Sequence, residues 1–226
     1  MDKEINYRLL KNFCLDSGMD LFGVADISKI KNTFEFDANT LKKLNLAVCL
    51  GLGLSRSVLY GISDKPTRLY SHHYRTVNDF LDQMALKAAI LIQRKGFTAL
   101  PVPASQILDW QSQKAHLSHK KLGQLAGLGW IGRNNLLVNK RLGSQFRIVS
   151  ILTDMPLKKD KPVDDGCQNC MLCIRACPVK AIKKDRKDFN HIKCFEKLKE
   201  FARQHVVEQY ICGVCVNVCR GELKNG

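Results

Sequence analysis

Apolar positions along the chain follow two periods. From residue 4 to 18, Ile5, Leu9, Leu10, Phe13 and Leu15 recur at near-helical spacing and stop at Gly18, which predicts a first helix. Leu21 to Ala25 then reads as a strand. The unbroken run from Leu46 to Leu54 reads as a buried strand, in which Gly51 and Gly53 let another backbone or a ligand come close. The clearest helix is Val77 to Lys95, where Phe80, Leu81, Met84, Ala85, Ala88, Ala89, Leu91 and Ile92 build a broad apolar face that ends at Gly96. Thr98 to Ala104 predicts a short strand closed by prolines. Ser118 suits the cap of a helix with Leu122, Leu125 and Ala126 inward and Gly127 as its stop, and Arg147 to Leu152 suits another strand. Helices alternating with apolar strands predict an α/β or α+β layered domain. The polar stretch Lys159 to Asp165 reads as a linker, so residues 1–157 are expected as one domain and 158–226 as a second, smaller one.

That second part carries the chemistry. Cys167, Cys170, Cys173, Cys177 and Pro178 form Cys-x2-Cys-x2-Cys-x3-Cys-Pro, the spacing of bacterial two-cluster ferredoxins, in which the fourth cysteine serves the other cluster. Cys212, Cys215 and Cys219 repeat the tail of the pattern, and Cys194 fits its first member, displaced upstream by an insertion. The crossed reading gives Cys167, Cys170, Cys173 and Cys219 to one 4Fe-4S cluster and Cys177, Cys194, Cys212 and Cys215 to the other. Structural zinc and disulfides are the alternatives. A tetrahedral zinc site has no need of the third Cys or of the Cys-Pro, and disulfides belong to oxidising compartments. Met1-Asp-Lys-Glu-Ile-Asn resembles no secretory signal and no apolar stretch reaches spanning length, so a cytoplasmic protein without a membrane segment is expected. Cys14 and Cys49 sit in apolar patterns and are expected in the core.

Charge adds a partner class. The formal net charge is +15, and two oxidised clusters on eight cysteinates leave about +11. Such an excess suits an acidic partner, nucleic acid or a phosphorylated cofactor, or equally a solvated lysine-rich surface. The basic runs Lys158, Lys159, Lys161 and Lys183, Lys184, Arg186, Lys187 lie without interleaved aromatics.

The segment Ala126-Gly-Leu-Gly-Trp-Ile-Gly-Arg-Asn-Asn-Leu-Leu-Val138, followed by Gly143, Ile151-Leu-Thr-Asp-Met-Pro-Leu157 and the double cysteine motif, resembles the epoxyqueuosine reductase family and, more distantly, the reductive dehalogenases. The resemblance implies a nitroreductase-like fold carrying a base-off corrinoid beside two 4Fe-4S clusters, with a ferredoxin-like C-terminal domain. It implies cofactor contacts at Gly127, Gly129, Trp130, Gly132, Asn134 and Asn135, and at Tyr74, which stands in the place of the family's Tyr-His element. The glycines equally suit a tight turn between helix and strand. No Asp-x-His-x-x-Gly run supplies a cobalt-binding histidine.

Three departures bear on activity. The chain ends seven residues after Cys219, where the family continues into a helical-repeat region that helps bind tRNA. Arg220 and Gly221 follow Cys219 where the family has Pro. The family's proton-donating Asp, counted fourteen residues back from Gly127, falls on Gln113, which cannot deliver a proton; His116 and His119 nearby are the substitute candidates. Tyr70-Ser-His-His-Tyr-Arg offers His72 and His73 as weaker pocket candidates, and Trp110 reads as core or pocket wall. The sequence thus points to a corrinoid-dependent reductase taking single electrons from a low-potential donor such as ferredoxin or flavodoxin. Its alternatives are an electron carrier or corrinoid-reducing partner without a substrate site, and a tRNA-modifying epoxyqueuosine reductase.

Overall fold

The computed structural model describes residues 2–109 and 114–221. Asp2 accepts from the Glu4 amide at 2.8 Å and caps α1 (Lys3–Asp16), whose Tyr7, Leu10 and Cys14 turn inward at helical spacing. Gly18, at φ +99°, ends the turn that follows, as the sequence predicts. Next come β1 (Leu21–Asp26), the four-residue α2 (Ala38–Leu41), β2 (Leu46–Gly53) and α3 (Arg56–Tyr60). The long α4 (Arg68–Arg94) leads to β3 (Ala99–Val102) and α5 (His119–Leu125), which Ser118 caps through its hydroxyl. A two-stranded pair, β4 (Trp130–Ile131) and β5 (Leu137–Val138), precedes β6 (Phe146–Thr153). Three helices close the described chain: α6 (Leu172–Ala176), α7 (His191–Arg203) and α8 (Val214–Val218).

The expected mixed α/β architecture is what the chain adopts. Its main sheet has the order β1-β2-β6-β3, with β1 antiparallel to β2 (Leu21 opposite Gly51, Asp26 opposite Leu46) and β3 antiparallel to β6 (Ala99 opposite Thr153). The inner strand β2 is buried from Leu46 to Gly51, on both of its faces, which is why its sequence is a continuous apolar run without alternation. α5 lies against β1, where a Cβ on Gly23 would overlap the Ala126 carbonyl. Along α4 the buried positions Val77, Leu81, Met84, Ala85, Ala88, Ala89 and Ile92 match the predicted face, while Leu86 and Ile90 stay exposed. The helix starts nine residues before the predicted Val77, because Arg68–Thr76 carries polar and aromatic residues and shows no apolar stripe. Cys14 and Cys49 are buried, as expected, and burial pushes both thiols up to about 12. No helix among the described residues is long and apolar enough to cross a membrane.

The chain divides into two compact units, each drawn from three segments. The first takes the chain through Leu52, Asn78–Leu128 and Arg147–Val163; the second takes Gly53–Val77, Gly129–Phe146 and the described residues from Asp164 onward. The sequence reading places a single cut between 157 and 158, whereas these units interleave along the chain. Residues 159–163, read as linker, belong to the first unit and are strapped to β1. Asp160 accepts from the Val24 amide at 2.9 Å and from the Tyr7 hydroxyl at 3.1 Å, and its own amide donates to the Val24 carbonyl at 2.8 Å. Burial, then the Asp160 carboxylate, hold the Tyr7 hydroxyl well above its ordinary pKa.

Removing this carboxylate leaves the Tyr7 hydroxyl and the Val24 amide without their acceptor. Hydrogen bonds to charged groups contribute about 1.5–3 kcal/mol each, so Asp160→Ala is expected to lower stability by roughly 2–3 kcal/mol. Tyr7→Phe, which removes one donor and keeps the ring, is expected to cost about 1 kcal/mol. Urea denaturation of both variants measures this, and a loss below about 0.5 kcal/mol for Asp160→Ala would show the strap to be idle.

Candidate metal centre

Two short helices of the second unit present the cysteines in the same way. Cys173 lies in α6 and Cys177 caps its C-terminus, its amide donating to the Cys173 carbonyl at 3.2 Å; Cys215 lies in α8 and Cys219 caps it. α6 and α8 pack against each other. Before α6, Asp165 accepts from the Cys167 amide at 2.9 Å and the Cys170 amide closes a turn onto the Cys167 carbonyl at 2.8 Å. Before α8, Gly213 takes φ +81° against Ile62 and Tyr70, where a Cβ would come within 2.7 Å of both side chains. Cys194 sits in the first turn of α7, which Asn190 caps by accepting from the Lys193 amide at 2.9 Å.

Several thiols of this unit lie close enough to influence one another's ionisation. Cys173 is pushed up to about 11 by burial and then by Cys219, Cys167 and Cys170. Cys194 is pushed up to about 11 by burial and then by Cys212 and Cys177. Cys215 is half-buried, and desolvation raises it well above the ordinary thiol value, with Cys212 and Cys194 as its strongest thiol neighbours, followed by Cys173 and Cys177. The late Cys219 thus keeps company with the early cysteines and the early Cys177 with the late ones. All ten cysteines are free thiols. Among the described residues no three His, Cys, Asp or Glu side chains converge on a single ion. A 4Fe-4S core spreads its four ligands over four irons. A site that raises thiol pKa values through burial and mutual repulsion suits a cationic core, whose binding displaces the protons.

The glycine-rich segment lies beside this centre. Trp130 is buried and its indole Nε1 donates to the Cys167 sulfur at 3.2 Å. Arg133 was not singled out from sequence, yet its guanidinium donates to four carbonyls: Lys184 at 2.7 Å, Cys170 at 3.0 Å, Cys167 at 3.2 Å and Gln168 at 2.6 Å. An arginine set in a glycine-rich turn was the available signal. The expected cofactor-contact residues are engaged within the chain. A Cβ on Gly127 would come 2.5 Å from the Lys161 carbonyl, one on Gly129 would overlap the Val138 carbonyl, and one on Gly132 would meet Val138 at 2.6 Å and the Cys167 sulfur at 3.4 Å. Asn134 donates to Ser144 at 3.1 Å and accepts from the Leu136 amide at 3.3 Å, while Asn135 takes φ +58° in the turn joining β4 to β5. Tyr74 lies on α4, edge-on to Tyr70 at 6.3 Å.

The histidine candidates separate clearly. Gln113 and Trp110 lie outside the described residues. His116 stacks on Phe36 with ring centres 4.5 Å apart, its Nδ1 is 3.0 Å from the Glu35 carbonyl, and it lines a cleft of about 500 Å³ with Lys114, Ser118 and Lys121. His119 has both ring nitrogens occupied. Nε2 donates to the Pro103 carbonyl at 2.9 Å, so Nδ1 accepts from the Ser150 hydroxyl at 3.0 Å, and Ser150 in turn lies 3.6 Å from the Cys49 sulfur. Burial pushes His119 down to about 4, opposed by the Pro103 bond. His73 accepts from the Ser55 amide at 3.0 Å, which fixes its role as a brace on α4.

No family model matches the chain. Relatives named epoxyqueuosine reductase are 37% identical over 103 residues in Leadbetterella byssophila, 42% of this chain and 33% of the relative, and 41% identical over 68 residues in Escherichia coli, 30% of this chain and 18% of the relative. Among solved structures, a catabolic reductive dehalogenase superposes with a TM-score of 0.77 at 20% identity, covering 96% of this chain and 32% of that one. The epoxyqueuosine reductase from Streptococcus thermophilus superposes with 0.64 at 17% identity, covering 97% and 68%. The resemblance read from the sequence is borne out, and the fold is shared with both groups of structures. The chain spans a third or less of the length of the curated relatives it matches.

The bonding of His119 sets a pH dependence. The unfolded ring takes a proton near its ordinary 6.5 and the folded ring only near 4, so the unfolded state binds more protons between those values. Stability from this residue is full above about 6.5 and is lost as pH falls toward about 4, by up to ~3 kcal/mol. Denaturation of wild type and His119→Gln across this range is expected to show the wild type falling more steeply; parallel pH profiles would count against the assignment.

Proposed function

We propose that this chain is an iron–sulfur redox protein that holds two 4Fe-4S clusters and acts as a reductase related to epoxyqueuosine reductase. The observation that carries the reading is the packing of α6 against α8 with Cys219 near Cys173 and Cys177 near Cys194, in keeping with a crossed ligand set. Cys167, Cys170, Cys173 and Cys219 would hold one cluster and Cys177, Cys194, Cys212 and Cys215 the other. Each cluster takes up and releases one electron at a time. The chain's own part is to keep the thiols desolvated, to fix the ligand loops through backbone hydrogen bonds and to donate N–H groups to sulfur, as the Ala181 amide does to Cys177 at 3.3 Å.

A base-off corrinoid is the further part of the reading, and its support comes from the resemblance. Gly127, Gly129 and Gly132 lie where a Cβ would meet Lys161, Val138 and the Cys167 sulfur, and Asn134 bonds Ser144 and the Leu136 amide, so a corrinoid would meet this segment in an already braced form. Cobalamin, if bound, would supply a low-potential centre for reductive chemistry, and no step is assigned to it. A tRNA-modifying activity is the reading favoured by the named relatives, one of whose solved structures holds an epoxyqueuosine-modified tRNA stem loop. A ferredoxin or flavodoxin donor suits the basic charge of the chain.

Anaerobically purified protein is expected to carry about eight irons and matching acid-labile sulfide. Cys194→Ser is expected to lose close to half of both, because a harder oxygen ligand holds such a cluster poorly. Stoichiometric zinc without sulfide would overturn the reading, and an unchanged iron count in Cys194→Ser would remove that residue from the ligand set.

The corrinoid is tested separately by titrating the protein with cob(II)alamin under EPR. A base-off spectrum without nitrogen superhyperfine splitting is expected. Absence of binding at high micromolar cobalamin would leave an electron carrier without a substrate site. Turnover of epoxyqueuosine-containing tRNA by the loaded protein with a low-potential reductant would establish the tRNA-modifying reading.

A further inference from the structure

Two side chains of the segment that resembles a cofactor-binding element, Trp130 and Arg133, bond to the Cys167 loop in different ways. Trp130 aims its only donor at the Cys167 sulfur. Arg133 grips the main chain on either side of that sulfur, at Cys167, Gln168 and Cys170, and reaches across to Lys184. Gln168 sits at φ +36°, a conformation that a residue with a side chain adopts only when its surroundings hold it there, and its carbonyl is one of the four that Arg133 takes. Gly166 completes the arrangement. A Cβ at Gly166 would lie 2.6, 2.8 and 3.1 Å from Cη2, Cζ2 and Cζ3 of Trp130, so the indole lies directly on the backbone one residue before the ligand. The ring is 3% exposed and has no room to swing away.

We propose that Trp130 is a positioning residue that raises the reduction potential of the cluster held by Cys167, Cys170, Cys173 and Cys219, through its indole N–H on the Cys167 sulfur. The proposal rests on the iron–sulfur reading and adds to it which of the two clusters is tuned and by what. The step it concerns is the uptake of one electron by the cubane, in which no bond is made or broken. The added charge spreads onto the ligand sulfurs. A hydrogen-bond donor fixed on one of them stabilises the reduced state more than the oxidised one, and so moves the potential upward. Arg133 and Gly166 act through Trp130: the first fixes the loop that carries the sulfur and the second admits the ring.

A purely packing role for the indole predicts something different, since Phe fills nearly the same space. In the full chain with both clusters assembled, dithionite titration followed by EPR reads the two couples separately. Trp130→Phe is expected to keep iron and sulfide near the wild-type amounts, to shift one couple to lower potential and to leave the other in place. Gly166→Ala keeps the tryptophan but displaces its ring, and is expected to shift the same couple in the same direction. Two unshifted couples in Trp130→Phe at full iron content would overturn the proposal. Should neither variant assemble its clusters, wild-type protein labelled with ¹⁵N-tryptophan decides the matter: pulsed EPR of the reduced state is expected to show a ¹⁵N coupling on one cluster, and its absence overturns the proposal. Wild-type protein without acid-labile sulfide would instead remove the iron–sulfur reading beneath it.

Discussion

Packing eight thiols into one small unit is the constraint on which the rest of that unit depends. Buried thiols next to one another resist ionisation, and the structure registers this as pKa values driven up by burial and by neighbouring sulfurs. The helices that present them cannot stabilise the arrangement alone. α6 and α8 are single turns of five residues each, far below the length at which an isolated helix persists. Their order comes from packing on each other and from bonds to the chain around them, such as Asn217 donating to the Ile62 carbonyl at 2.8 Å while its own carbonyl accepts from Gln145 at 2.7 Å. A metal core that replaced the thiol protons would turn this repulsion into attraction, and its binding would then be coupled to the folding of the unit.

The first unit has the opposite character. Its stability lies in apolar layers around a sheet whose inner strand β2 is covered on both faces, and its few buried polar groups are chained to one another. Cys49, Ser150, His119 and Pro103 form one such chain, each member satisfied by the next. Asp160 forms another, joining Tyr7 to the Val24 backbone. Both tie segments distant in sequence to the sheet, where an unpaired buried group would cost about 1–3 kcal/mol.

Legibility in the sequence followed the length of each repeat. α1, β1, β2, β3, α5, β6 and most of α4 were readable because apolar residues recur over enough positions to define a period. The one-turn helices and the two-residue strands β4 and β5 fall below any window in which a period shows. The first turns of α4 escaped because Tyr70 and Ser71 are buried there among exposed polar neighbours. Asp160 looked like linker because a charged residue between lysines gives no hint that a tyrosine and an amide converge on it. At the candidate centre the spacing of the cysteines was itself the signal, and Cys219 does lie near Cys173 and Cys177 near Cys194. The glycines were legible as places of close approach, but the sequence could not show that the approaching groups are the chain's own carbonyls and indole.

The two histidine candidates, His116 and His119, show why residue type alone settles so little. In His119 the acceptor-only Pro103 carbonyl fixes the proton on Nε2, and the Ser150 hydroxyl then occupies the remaining lone pair. With its pKa pushed down to about 4, this ring stays neutral near pH 7 and has no proton to give without breaking a bond that holds α5 to the sheet. In His116 the Glu35 carbonyl fixes the proton on Nδ1 in the neutral ring, and the ring lines a cleft that also holds Lys114 and Lys121. Of the two, only His116 lines a cleft, beside Lys114 and Lys121, so placement and not residue type separates the pair.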